Sequence, residues 1–373
     1  VLWFWVLVIP ALLLAAFSLR GERRRERYYR ECLAAPPEAH LPPATVIVPV
    51  KGSDEGLAGN LQSLATLDYP DYELIICARS AADVPAGAVP ERARVVFAGG
   101  GDERTSEKIA NLLAAVAAAR QDSMILAFAD SDGRVGRGWL RSLAEPLEDA
   151  SVGATTGYRC HVPDPPDFWS LARSIWNGVI AGRFGPGPSD FAWGGAMAIR
   201  KETFLGCRVP DFWRGAVSDD YRLSDAVERA GLEIRFAPGA MVASPDHTTA
   251  GEFLGWVRRQ VRITRAYRPK LWWTGFVAHA IYCVATVACL AAMAQGRLAG
   301  VIVLSAMWAA GMWKGANRAR LARLALAEHE PWFARYGWVH AWGAPLATWL
   351  WMYSLAASAF GRTIEWRGRR YRL

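Results

Sequence analysis

The chain has 373 residues, enough for one domain of roughly 200 to 250 residues plus membrane segments, and 52% of them are apolar. A formal charge of +8 raises nucleic acid as a partner, but the Arg residues crowd beside apolar stretches (Arg20 to Arg30, Arg318 to Arg323, Arg362 to Arg372), where positive-inside retention and anionic lipid account for them. Six scattered Cys with no C-x-x-C pair suggest neither a disulfide framework nor a zinc site and read as reduced, buried thiols, while 18 Trp suit a bilayer interface.

Val1 to Leu19 carries no charge and as a helix would span about 28 Å, close to the thickness of a bilayer core. Arg20, Arg23, Arg24, Arg25 and Arg27 follow it with no small-x-small cleavage pattern ahead of them, so residues 1–19 read as an anchor with its C-terminal side in the cytosol. The chain is therefore expected to be an integral, multi-pass membrane protein, its body cytosolic, in a bacterial inner membrane if the Ala- and Arg-rich composition reports the source.

Residues 42–269 alternate short β-branched runs with helical stretches, which predicts an α/β domain with a largely parallel sheet. Strands are expected at Thr45 to Val50, Glu73 to Ala78, Arg94 to Ala98 and Met124 to Ala129, with helices at Leu57 to Ala65, Ser106 to Ala119 and Trp139 to Leu147. A Pro-containing stretch near residues 35 to 43 is the only linker. Polar clusters follow two of these strands: Lys51, Gly52, Ser53 and Asp54, then Asp130, Ser131 and Asp132. Ligands gather at such strand ends in open α/β sheets. Two carboxylates two residues apart can offer oxygens to a divalent cation that also holds phosphates, although Asp-x-Asp-Gly is equally good turn chemistry.

Ser218, Asp219, Asp220 and Tyr221 open a helix expected to run through Ala230 and end at Gly231. An N-cap explains one of the acids, and a general base for an acceptor hydroxyl would explain another. Gly251 to Tyr267 reads as a helix with Phe253, Val257 and Val261 on one stripe and Arg258, Arg262 and Arg265 beside it. Two readings stand for those Arg residues: snorkelling to phospholipid headgroups, or clamping a diphosphate. Residues 271–360 hold three further apolar segments, Leu271 to Gln295, Leu298 to Trp313 and Trp338 to Phe360. Four spans would place the C-terminus outside, yet the Arg cluster from Arg362 to Arg372 argues for inside, so one late segment is expected to be re-entrant or interfacial.

The ordered series VIVPVKGSDEGLAGNLQSLATLDYPDYELIICA, SEKIANLLAA, FADSDGRV, WGGAMAIRKETF, SDDYRLSDAVERAG and RRQVRITR resembles the ceramide glucosyltransferase family of membrane-bound, inverting GT-A glycosyltransferases, with a related branch in hopanoid biosynthesis. The resemblance covers roughly residues 44 to 268. It implies a GT-A (Rossmann-like) domain flanked by transmembrane helices and transfer from a UDP-sugar to a lipid hydroxyl, with Mg²⁺ or Mn²⁺ as cofactor and no role for nucleic acid. By position it implies donor contacts from Lys51, Asp54, Asp83, Lys108, Asp130, Arg259, Gln260 and Arg262, with Asn111 supporting the donor pocket. It implies metal ligation by Asp130 and Asp132, an acceptor site at Trp193, Gly194 and Gly195, and Asp220 as catalytic base. Ile263 stands where the family pattern calls for Trp, and the run before Asp83 lacks the usual extra acids. A processive polysaccharide synthase and a non-catalytic scaffold that has kept the fold are the competing readings.

Overall fold

The computed structural model describes residues 2–34, 41–99 and 105–373, so most of the expected linker lies outside the described residues. Leu2–Leu33 is a single helix, α1, that runs about four turns beyond the apolar segment. Its second half is charged and is held as helix by Glu22–Arg25 and Glu26–Arg30 pairs at i,i+3 and i,i+4 spacing.

The body continues through β1 (Ala44–Pro49), α2 (Leu57–Ala65), β2 (Tyr72–Ala78), β3 (Ala93–Phe97), α3 (Glu107–Ala118) and β4 (Ile125–Ala129). The four expected strands fall within one residue of these bounds. Next come β5 (Arg134–Val135), α4 (Trp139–Ala144), β6 (Val152–Thr156), β7 (Arg159–His161), α5 (Phe168–Ala181) and β8 (Ala196–Arg200). The expected helix to Leu147 tightens into a 3-10 turn at Glu145–Glu148, where Pro146 has no N–H to continue an α-helical ladder. Then follow α6 (Lys201–Gly206), α7 (Val209–Trp213), α8 (Asp219–Arg229), β9 (Glu233–Phe236), β10 (Val242–Ser244) and α9 (Ala250–Tyr267). Thr249 and Glu252 form a capping box at the start of α9.

Seven strands make the main sheet in the order β3-β2-β1-β4-β8-β6-β9, with β3, β2, β1 and β4 parallel and β8 antiparallel to both its neighbours. Period-two alternation sends Val46, Val48, Leu74 and Ile76 into a core with Leu61, Leu64, Trp139 and Leu143 on one face. It sends Ile47, Ile75, Leu126 and Phe128 into a second core with Ile109, Leu112, Trp213 and Leu223 on the other. A small sheet, β5-β10-β7, stands over the end of β4.

The chain then runs through α10 (Pro269–Ala294), α11 (Leu298–Ala325), α12 (Glu330–Tyr336) and α13 (Trp338–Ser358) and closes on a hairpin of β11 (Thr363–Trp366) and β12 (Arg369–Arg372). Among the described residues three helices are long and apolar enough to cross a membrane: α1, α10 and α11. They pack on one another through Phe4, Val8, Ala285, Cys289, Val303 and Met307, and leave Val6, Leu13, Val284, Leu290 and Ile302 exposed. Two late helices, not three, thus have spanning character. The expected segment at Trp338 to Phe360 becomes α13, where Trp, Tyr, His and Ser dilute the apolar content. α13 lies across the other helices, its Pro345 against Gly311 of α11 and its Leu355 against Gly275 of α10. It also packs on the body, Trp351 stacking on Trp176 of α5 with ring centroids 3.9 Å apart. All six cysteines are free, but Cys32 is exposed and Cys207 only partly covered, which corrects the expectation of buried thiols at those two positions.

Candidate active site

The site grows out of the carboxyl ends of β1 and β4, which lie side by side in parallel register. Ser131 Oγ donates to Asp54 at 2.6 Å, tying the two strand-end loops together. Lys51 pairs with Glu107, the first residue of α3, at 3.0 Å. Lys108, one residue on, projects into the cavity, with its ammonium 2.9 Å from Asp130 and 3.0 Å from Asp219.

Asp219 and Asp220 open α8, where Ser218 is the N-cap and accepts from the Tyr221 N–H. Asp220 Oδ1 accepts from Tyr221 N at 2.7 Å and from Ser218 Oγ. This leaves Oδ2 without a hydrogen-bond partner among the described residues. Asp219 is 4% exposed, and burial pushes its carboxyl up to about 6; Lys108 opposes that shift, and Asp220 and Asp130 add to it. Burial also acts to raise Asp130, but Lys108 and Arg159 outweigh it and hold that carboxyl below its ordinary range. Two neighbouring acids are thus driven in opposite directions, a pattern frequent at catalytic sites.

Arg159 of β7 forks onto Asp132, Nη1 lying 3.0 Å from Oδ2 and Nη2 meeting Oδ1, and its Nη2 also reaches Asp130 at 3.4 Å. Its guanidinium stands 5.1 Å from the Trp193 ring centre. Gly194 and Gly195 let the backbone pass close beneath these charges. A Cβ at Gly194 would lie 2.6 Å from Asp219 Oδ2 and 3.0 Å from Lys108 Nζ, and one at Gly195 would lie 2.7 Å from Asp130 Oδ2.

Asp130 and Asp132 present four carboxylate oxygens, a hard donor set of the kind Mg²⁺ and Mn²⁺ take when substrate phosphates and water complete the shell. Each oxygen here meets a cationic group, Lys108 or Arg159. Among the described residues no group of three or more His, Cys, Asp or Glu is placed to hold a metal. The carboxylate pair alone is an incomplete donor set, and it suits such an ion only where a bound phosphate completes the shell.

A cavity of about 340 Å³ joins these groups to the apolar helices. Lys51, Lys108, Asp130, Asp132, Asp219 and Asp220 line one end. Leu271, Trp272, Gly275 and His279 of α10, with Trp351 and Leu355 of α13, line the other. Asn111, Trp193, Gly194, Arg259 and Gln260 stand on its walls. Burial, with Arg367 nearby, pulls Arg259 down to about 10, so it stays charged at neutral pH.

Four of the residues expected at the site lie off that wall. Asp83 turns its carboxylate back onto Ser80 N and Oγ, at 3.1 and 3.0 Å, closing a 3-10 turn that touches Gly52 through its backbone. Asp54 is held between Ser131 and Arg367. Arg262 donates to Thr363 O at 3.0 Å and so serves the C-terminal hairpin, and Gly195 lies behind Asp130. Asp219, Arg159 and the hairpin residues Trp366, Arg367 and Tyr371 are parts of the site that the sequence reading did not single out. The acidic doublet at 219 and 220 was a usable signal for Asp219, and the Arg367-Gly368 turn between β-prone residues was one for the hairpin. Nothing in the sequence around Arg159 announces its pairing.

The model of glycosyl transferase family 21 matches residues 3–373. The chain belongs to this family. Among curated relatives of this family 21 chain, ceramide glucosyltransferase 3 of Caenorhabditis elegans is 22% identical over 249 residues. That match covers 63% of this chain and 53% of the relative, so the chain spans about half of that protein's length. Both matches bear out the resemblance to the ceramide glucosyltransferases. Among solved structures, the mannosyltransferase PcManGT from Pyrobaculum calidifontis, in complex with GDP-Man and Mn²⁺, aligns with a TM-score of 0.50 and 17% identity. That alignment covers 93% of this chain and 99% of PcManGT. The family 21 body is thus the expected GT-A fold, a mixed α/β domain with a central, largely parallel sheet, accompanied by helices of membrane-spanning length.

Proposed function

We propose that this family 21 chain is a membrane glycosyltransferase that moves a sugar from a UDP-sugar to a hydroxyl of a ceramide-like or hopanoid lipid, with inversion. One observation carries the reading: a single cavity runs from a charged end with two acid pairs to an apolar end built from α10 and α13. A water-soluble donor and a membrane-borne acceptor can meet only where such surfaces are continuous.

Asp220 is the base in this scheme. Its Oδ1 is fixed by Tyr221 N, and its Oδ2 takes the proton of the acceptor hydroxyl as that oxygen bonds to the anomeric carbon. The carbon–oxygen bond to the diphosphate breaks on the opposite face, which inverts the centre and releases the nucleoside diphosphate. Lys108, Arg159 and Arg259 face the charge that develops on the leaving group. Asp130 and Asp132 would hold a Mg²⁺ or Mn²⁺ ion, which when bound would add to the neutralisation of that diphosphate without proton transfer. Lys108 also separates Asp130 from Asp219, so both acids can sit beside the donor without repelling each other.

Orientation follows from charge. The three spanning helices meet the body at Arg20 to Arg30, at Arg258 to Arg268 and at Arg318 to Arg323, whereas the α10–α11 turn carries Arg297 alone. By the positive-inside rule this charge distribution supports a cytosolic body.

The test is transfer of radiolabelled sugar from a panel of UDP-sugars to extracted membrane lipids by the detergent-purified protein, with and without EDTA, beside Asp220→Asn. A labelled lipid that requires both metal and Asp220 is the expected result. Nucleotide-sugar binding with no labelled lipid from any donor would overturn the reading.

A further inference from the structure

The positive run at the end of the chain has a use other than membrane retention. In the structure it folds as the β11–β12 hairpin and docks over the charged end of the cavity. Ile364 and Tyr371 pack on Val217, immediately before the α8 N-cap, and Ile263 and Trp366 join the same apolar cluster. Arg262 donates to Thr363 O, Arg265 donates to Ala359 O and Gly361 O, and Arg369 lies 3.4 Å from Glu107. The hairpin is thus fastened to α9 on one side and to α3 on the other.

Its tip is unusual. Trp366 pairs with Arg369 across a two-residue loop in which Arg367 has φ 49° and Gly368 φ 75°. Two positive φ values are what a type I′ hairpin turn requires, but a long side chain at the first of them is uncommon and persists only where the surroundings hold it. Arg367 is so held: one guanidinium nitrogen is 2.6 Å from Asp54 and another donates to Lys51 O at 2.8 Å. The turn delivers this guanidinium to the cavity wall, where Trp366 lies against Arg259 at 6.0 Å from ring centre to guanidinium carbon. Arg259 has no carboxylate partner among the described residues. The Arg259 and Arg367 guanidinium groups therefore face one polar cavity, with Asp54 engaged to Arg367 alone.

We propose that the C-terminal hairpin is the clamp of the donor site and that Arg367, opposite Arg259, grips the donor's diphosphate. This rests on the glycosyltransferase reading and adds a binding group from outside the α/β body. Asp54 is the resting partner that keeps the guanidinium at the wall when no phosphate is present, and planar forks of this kind suit bidentate phosphate contact.

The test uses the full chain in detergent and measures binding of UDP and of uridine to wild type, Arg367→Gly, Arg367→Lys and Arg370→Ala. Glycine is at home at φ 49°, so Arg367→Gly removes the guanidinium without straining the turn. The expected result is UDP affinity weakened roughly ten- to a hundredfold in Arg367→Gly, with uridine binding unchanged. Arg367→Lys is expected to recover part of the loss, and Arg370→Ala, on the exposed side of β12, to bind as wild type. Equal loss of uridine and UDP would reduce the hairpin to a structural prop, and undiminished UDP binding by Arg367→Gly would remove Arg367 from the site; either overturns the proposal. Wild-type protein that binds no UDP and transfers no sugar would instead sink the glycosyltransferase reading, and the clamp with it.

Discussion

Replacing Lys108 with Met tests how the charged end of the cavity is held together. The ammonium lies 2.9 Å from Asp130 and 3.0 Å from Asp219, and the Lys108 and Asp219 side chains are 13% and 6% exposed. Removing the cation leaves the buried Asp219 carboxylate facing Asp130, whose side chain is 26% exposed, at a cost of up to about 3–5 kcal/mol, the figure for a fully buried pair that loses one partner. Adding Asp219→Asn removes one of the stranded charges, so the double variant should recover about 1–3 kcal/mol. The pH dependence has a definite sign. Asp219 titrates near 6 in the folded chain and near 3.9 unfolded, so its contribution to stability is fully present below about pH 3.9 and is lost as pH rises through about 6. Lys108 opposes that upward shift, so without it Asp219 moves higher still. The defect of Lys108→Met should therefore be large at pH 8 and shrink at pH 5, where a proton replaces the ammonium. Thermal unfolding of the detergent-solubilised protein, followed by tryptophan fluorescence at pH 5, 6.5 and 8, reads this directly. Equal destabilisation at pH 5 and pH 8, or no recovery in the double variant, would refute the reasoning.

Asp220→Asn should lower the transfer rate by about 10²–10⁴ with UDP affinity unchanged, as measured by single-turnover transfer beside nucleotide binding. Gly194→Ala places a methyl group 2.6 Å from Asp219 and 3.0 Å from Lys108, and should cost about 1–3 kcal/mol in thermal stability together with activity. An unchanged melting temperature would show that this backbone does not run as close to the charges as described. Gly275→Phe fills the apolar end, where even a Cβ already touches Leu355 at 3.9 Å. Lipid transfer should fall while UDP binding persists, and full transfer would place the acceptor elsewhere.

The α/β body was legible because its signals are local. β1 to β4 read as β-branched runs, and the clusters at Lys51 to Asp54 and at Asp130 to Asp132 stood where strand ends place ligands. What was not legible depends on distant chain segments meeting. Asp132 reads locally as one half of a carboxylate pair, and nothing near it in sequence shows that Arg159, 27 residues away, forks onto it. Arg262 sits in a helix stripe that suggests a diphosphate clamp, yet its donor reaches Thr363, 101 residues on. Hydrophobic periodicity reports which face of an element is buried, not which element covers it. The segment from Trp338 to Phe360 shows the same limit, since its length allows a span while Trp351 within it stacks on Trp176 of α5.

That packing also bears on which side of the membrane the hairpin would occupy. α1 ends at the body, α10 leaves from Pro269 beside it, and α11 returns to place Arg318 3.2 Å from Glu22 of α1. α13 then starts and finishes at the body's level: a Cβ on Gly178 of α5 would contact His340 at 3.6 Å, and Ser358 accepts from Trp272, near the start of α10, at 2.8 Å. Had α13 crossed the bilayer, β11 and β12 would lie on the far side, and neither the Arg262 contact with Thr363 nor the Arg367 pair with Asp54 could form. We propose three crossings, a topology that would reconcile an even span count with the positive run from Arg362 to Arg372. In sealed right-side-out vesicles from a variant with its native cysteines replaced, a membrane-impermeant maleimide should label Gly296→Cys, in the α10–α11 turn, at once. It should reach Arg370→Cys only after permeabilisation. Labelling of Arg370→Cys in intact vesicles would make α13 a fourth span and detach the hairpin from the donor site.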